Sequence, residues 1–585
     1  MILRLLKIYI LVFPFVIQFN AYSQEISTIG ENEPFALSGN INIDQMFTST
    51  LGTAENYGRK PYAYFLTGGL NASFYGISMP FNFSYSNQKL GYTHPFTFNQ
   101  FGIQPSYKWL KVFVGYNSFS FSPYTMNGHQ FCGGGVEVSP KDFPLSFSVI
   151  YGRLLKAVEF SDTVNTIPAY RRLGAGGKIG FTSKKVNVST SVFYAWDEAN
   201  SNLTIPDSLE ISPKDNLSLG LQANLKVIKG VDWDISFGNS IVTDDIRSPF
   251  AQSRKFLLGA YSGRESSQAF YAYKSGLNYA INNGSVGVAV ERIQPNFQTL
   301  GAYYSTNDFE NLTLNATNSF MGGKVNVSGN FGVQRDNLNN EKLFTSQRGV
   351  GALNISATIR EKLNANLSFS TFNSYTNVRS VFDVINATSP YQNLDTLNFT
   401  QVNQTGSMSL VYTTGGESAK NSFTLNVSGN TSETKQGVTM DKPMLFINSG
   451  IGHSYSVTST KLAINSSMFY SGNTSPMGKS ETFGPMLSVS KPFLEDKIRL
   501  TITGAINKSW LDGKQQSFNG NTRFSGAWTP IEGHRVSLTG GFSMNRSFSG
   551  AMPPRKELIF SLQYSYSFSK KNIFKQNEKQ PKKDE

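Results

Sequence analysis

The sequence predicts an all-β protein, a single antiparallel up-and-down transmembrane β-barrel of about 22 to 26 strands, best counted as 26. Three observations predict it. The last strand-like stretch alternates, with Leu558, Phe560, Leu562, Tyr564, Tyr566 and Phe568 set against the mostly polar Ile559, Ser561, Gln563, Ser565 and Ser567. Period two sends these sets to opposite faces of a strand, one oily and one wet. An export signal precedes the chain, and short and long connections alternate along it.

The elements follow in order. Residues 1–23 read as a cleaved secretory signal, with Arg4 and Lys7 before an apolar run from Ile8 to Ile17 and Ala21-Tyr22-Ser23 at the end. Residues 24–34 form a short periplasmic segment and residues 35–568 the barrel, with 35–47 as first strand and 556–568 as last. Residues 569–585 form a Lys-rich disordered periplasmic tail, without an apolar face to bury. The alternation is plain again at Leu217–Val227, Val325–Val333, Phe423–Val427, Ile498–Ile506 and Val536–Met544. A slip of one residue there would turn Asn and Lys to lipid, so register is strongly specified.

Short connections fall at Ser183–Lys185, Ile228–Gly230, Asn282–Gly284, Met321–Gly323, Arg360–Lys362, Gly415–Ser418 and Glu532–Gly533. Longer polar ones lie at 48–61, 153–169, 197–214, 241–266 and 376–400. Outer-membrane barrels keep their short turns periplasmic, so the long loops are expected outside and both termini in the periplasm. A propeller or solenoid would show a fixed repeat, and none is visible.

Composition excludes several classes. The formal net charge of +13 is spread out, without the clustered basic surface of a nucleic-acid binder. The one cysteine, Cys132, rules out an intrachain disulfide. No later stretch reaches the roughly 20 apolar residues of a membrane helix. The histidines His94, His129, His453 and His534 lack metal-ligand spacing and read as polar rim residues, His453 and His534 near turns. Without a Gly-x-Ser-x-Gly elbow, phosphate loop or Cys/His cluster, the sequence names no catalytic, cofactor or metal residue, and the expectation is a non-enzyme. Asp244-Asp245 and Asp336-Asn337, in expected outer loops, offer oxygen ligands for a divalent cation.

Two stretches carry a resemblance: Phe121-Ser122-Pro123-Tyr124-Thr125-Met126-Asn127-Gly128-His129 with Gly133–Glu137, and Tyr303–Asp308 with Gln334-Arg335-Asp336-Asn337-Leu338. They resemble segments of large outer-membrane barrels of Bacteroidota, a likeness that implies compartment and fold but no activity. Asp162-Thr163-Val164, Asp207-Ser208-Leu209 and Asp395-Thr396-Leu397 resemble the short O-glycosylation motif of the same group. TonB-dependent transporters carry a plug domain before the first strand, and the ten or so residues from Gln24 to Phe35 are too few for one.

With strands about 4.8 Å apart and tilted about 40°, a circular barrel of this strand number is on the order of 50 Å across. The expected loops look too modest to cap such a hole. The functional expectation is a wide conduit or holder that engages a secreted or surface protein through its lumen or outer loops. The alternative is a general diffusion porin with loops folded inside. Expected partners are outer-membrane lipid, a protein partner or plug, and the barrel-assembly machinery at the C-terminal strand, with no nucleic acid.

Overall fold

The computed structural model describes Phe35–Lys571 apart from residues 52–60, 88–98, 161–167, 200–204, 207–208, 210, 260, 304, 342–344, 346, 372–373, 377–399, 403, 433–434, 437–438, 441–443, 476–477 and 549–553. Those residues form a closed antiparallel barrel of 26 strand positions. Each strand pairs with its neighbours in sequence, and the ring closes where Phe35–Leu51 pairs with Arg555–Lys571, from Ala36 opposite Lys571 to Leu51 opposite Lys556. Closure leaves no unpaired sheet edge, the condition for a sheet to sit in lipid. The first strand runs four residues past its expected end and the last three past Phe568.

One position is built from two pieces, Gln100–Ile103 and Ser106–Tyr107, lying between Ile77–Ser86 and Leu110–Phe119. Pro105 separates them, because proline has no N–H to give the ladder; its carbonyl still accepts from Val112 N at 2.8 Å.

Parity follows the sequence pattern. On the last strand Phe560 and Leu562 are exposed on the outer face, while Ser561 turns inward and donates to Asp44 Oδ1 at 2.7 Å. Around the wall, outward side chains such as Val149, Tyr151, Leu314, Phe331, Ile451 and Ile502 are all more than half exposed. Exposed apolar surface on that scale marks a face made for hydrocarbon.

Connection lengths split by end. Tyr75-Gly76, Lys229-Gly230, Asn282-Asn283 and 360–362 lie at one end, while 120–128 lies at the other, where the longer connections from Leu155 to Arg172, Thr243 to Ser267 and Ser370 to Gln404 also leave and re-enter the wall. Tyr75 and Gly76 both have positive φ, 46° and 89°, the backbone of a tight hairpin turn. The long-loop end is not uniform, since Ser475 and Gly478, and Leu511 and Lys514, are joined there by two residues.

Burial is uneven too. Among the described residues, every buried apolar side chain except Met46, Ala63, Phe65, Val350, Ala505 and Ile559 lies between Phe113 and Leu300.

Candidate functional site

Two connections at the long-loop end turn into the lumen. One is 120–128, between Leu110–Phe119 and His129–Val138. The other is 294–308, between Gly284–Ile293 and Phe309–Phe320. They meet where Asn127 N donates to Gly301 O at 3.0 Å, and Met126 bridges Gly301 in parallel. Phe121 and Met126 pack with Phe113, Phe131, Ile150 and Phe193 from the inner wall, and Tyr124 with Ala272, Ile293 and Phe297.

The inner wall makes room with glycine. A Cβ on Gly238 would lie 2.2 Å from Tyr124 Cβ, and one on Gly176 2.7 Å from the Phe121 ring. Such spacings are below any real carbon contact, so these strands accept the loops only because they carry no side chain there.

Hydrogen bonds then fix the loops. Asn216, on the inner face of Asp215–Ile228, donates to Ser240 Oγ at 2.7 Å and Ile241 O at 3.0 Å, and its Oδ1 accepts from Leu300 N at 3.0 Å. Thr299 donates to Thr125 O at 2.6 Å and accepts from Ser218 Oγ at 3.2 Å. Lys178 reaches from the wall to Phe121 O at 2.7 Å. Buried polar groups satisfied at both ends specify one geometry. Burial, and then the neighbouring Glu291 carboxylate, push the Tyr124 hydroxyl well above the usual phenol range; it donates to Glu291 Oε1 at 3.3 Å. Below the loops a polar cavity of about 420 Å³ is lined by Ser146, Lys178, Ser189, Gln222, Asp234 and Ser236.

The wall from Val325–Arg335 to Ala463–Ser475 is lined differently. In register, Asn326, Ser356, Asn366, Ser409 and Asn426 form one inward row. Ser328, Asn354, Ser368, Ser407, Ser428 and Asn448 form the next. Both rows line a cavity of about 800 Å³. By register, the charged residues on the inner face of these strands are Arg348 and Lys420, near opposite ends of the barrel.

A third loop feature lies outside the barrel. The hairpin Phe250–Phe256 and Tyr261–Arg264 covers the outward face at Leu217, Ile241 and Tyr194. Under it Asp215 accepts from the hydroxyls of Tyr194 at 3.2 Å and Tyr261 at 3.3 Å. Burial beside that carboxylate pushes the Tyr261 hydroxyl up to about 12.

The residues singled out in sequence scatter. His129 is buried, its ring stacked on Tyr303 at 4.2 Å. His453 is not at a turn but inside Met444–Val457, outward, stacked on Phe423 and bonded to Asn421. His534 opens its strand and lies 2.8 Å from Tyr564 OH. Asp244 is paired with Lys214 and Asp245 with Arg247, whose guanidinium holds the Asp245 carboxyl below the usual range. Among the described residues no three His, Cys, Asp or Glu side chains gather to hold a metal. His94, Asp162-Thr163-Val164, Asp207-Ser208 and Asp395-Thr396-Leu397 lie outside the described residues.

The two segments that carry the resemblance do converge. Phe121–Gly128 lies in the first in-folded loop and His129 opens the strand after it, Tyr303 and Asp308 belong to the second, and Leu338 N donates to Asp308 Oδ1 at 2.9 Å. Sequence reasoning gave none of their residues a place in the lumen. The available signal was a nine-residue connection containing Phe121, Pro123, Tyr124 and Met126, too apolar for a solvated loop.

No protein-family model and no curated protein matches the chain. Among solved structures, the copper transporter OprC aligns at TM-score 0.38 and 10% identity, over 91% of this chain and 80% of that one. The P pilus usher (PapC) translocation pore aligns at 0.40 and 9%, over 91% and 100%. OccAB4 of Acinetobacter baumannii aligns at 0.27 and 9%, over 66% and 97%. Similarity this low bears on neither ligand nor mechanism.

Proposed function

We propose that the chain is a non-enzymatic outer-membrane conduit whose lumen is narrowed from within, passing uncharged polar solutes along its Ser/Asn wall. The long loops face outward and both termini lie in the periplasm. The observation that carries this reading is the fixed pair of in-folded loops, 120–128 and 294–308, followed along the ladder by a wall with almost no charge. Loops held against one wall constrict a wide barrel without a partner. Amide and hydroxyl groups on the other wall exchange hydrogen bonds with a hydroxylated solute as readily as with water. Proteoliposome swelling tests this. Neutral oligosaccharides should enter faster than charged solutes of the same size, and impermeability to both would refute it.

A second reading is a holder for a secreted or surface protein. It is favoured by strand number, since a circular barrel on the order of 50 Å across exceeds what two short loops fill. A second protein copurifying after gentle extraction would support it.

A further inference from the structure

The outer face has its own cavity. About 1180 Å³ of space open to the outside is bordered by residues of nine strands, from Leu363 to Met544, and its large side chains, such as Leu425, Ile451, Met468, Leu487 and Phe542, belong to the outward set. Large outward side chains around small ones make a trough in this stretch of the outer face. Small outward residues, Ser466, Gly504 and Gly520, form the floor.

The groove begins at the short-turn end, where Leu363 is the first residue of its strand, and climbs to Phe542 near mid-height. Polar groups sit low on the same face. His453 in the groove bonds Asn421, and Lys491 lies four residues from Leu487 towards the short turn, its ammonium 5.3 Å from the centre of the Phe493 ring. An apolar trough with a cation at headgroup depth matches a lipid with apolar chains and an anionic head.

We propose that this groove is a binding site for a glycerophospholipid of the periplasmic leaflet, its acyl chains in the trough and its phosphate beside Lys491. The proposal rests on the membrane placement given above. A protein extracted without detergent would refute that placement, whereas a folded, detergent-soluble barrel carrying no lipid would refute the site alone.

Native mass spectrometry of the full chain in mild detergent tests it. A Cβ on Gly504 meets no atom within 4 Å and one on Gly520 only the edge of Phe518 at 4.0 Å, so G504L with G520L fills the trough without straining the wall. Gly349, equally open and outward on another part of the wall, gives the control G349L. The expected result is phospholipid adducts on the wild type and on G349L, falling at least about tenfold in the double variant. K491A should weaken retention while leaving heat-modified gel mobility unchanged. Adducts that persist undiminished in the double variant, a lipopolysaccharide mass in place of phospholipid, or a second copy of the chain in the groove would each overturn the site.

Discussion

The wall from Leu110 to Phe320 and the wall from Val325 to Ser475 share one ladder and one outward apolar face, yet their interiors are opposites. The first turns Phe113, Phe131, Phe193, Gly176 and Gly238 inward and covers them with two loops. The second turns Asn and Ser inward and borders a cavity of about 800 Å³. The comparison teaches that barrel geometry fixes only which residues face in. Whether the inner face meets protein or solvent is written in what those residues are, apolar and glycine where a loop docks, neutral and polar where none does.

The heaviest break should come from what the two walls share, their parity. Arginine at the lipid midplane costs about 2–4 kcal/mol and in the lumen little. Leu562→Arg should therefore lose most of the folded barrel on heat-modified gels. Gln563→Arg, placed inward opposite Asp44, should assemble normally. Equal yields would mean the register is wrong.

Next comes the docking surface of the filled wall. Gly238→Leu drives a side chain into Tyr124, an overpacking worth about 1–3 kcal/mol, and the loop should lift away while the barrel persists. Protection of 121–127 against hydrogen exchange should fall with it, and unchanged protection would show that the loop is not held by this wall. Thr299→Val acts more gently. It removes the donor to Thr125 O and the acceptor for Gly301 N, leaving those buried groups unpaired at about 1–3 kcal/mol, much of it recoverable by water at a loosened loop, while Ser218 keeps Asn216 Oδ1. The smallest effect belongs to the other wall, where Asn366→Ala should change denaturation midpoints by no more than the roughly 0.5 kcal/mol of a surface site.

The same contrast explains what was legible in the sequence. Plain alternation marked Val325–Val333, Phe423–Val427, Ile498–Ile506, Val536–Met544 and Leu558–Phe568, where the inner face is polar. In the filled half only Leu217–Val227 stood out, because its inner Asn216 and Ser218 hydrogen-bond the loops instead of packing on them. Leu110–Phe119 and Arg172–Thr182 were blurred: their inner Phe113, Gly174 and Gly176 face protein, so both sides of the strand lose their contrast. The tight Asp512-Gly513 turn at the long-loop end, φ 49° and 76°, was readable as an Asp-Gly hairpin signal but broke the alternation of connection lengths. The modest loops were expected to be too short to cap the hole, which left a bound partner or loops folded inside to obstruct it. Two of them narrow it because they enter the lumen, and length alone did not reveal their direction.

Planar-bilayer conductance of the purified wild type beside Gly238→Leu tests the central claim most directly. A lumen narrowed by its own loops predicts a stable wild-type conductance without any added partner, and a several-fold larger, noisier one when Tyr124 is displaced from the wall. The same conductance in both proteins would contradict it.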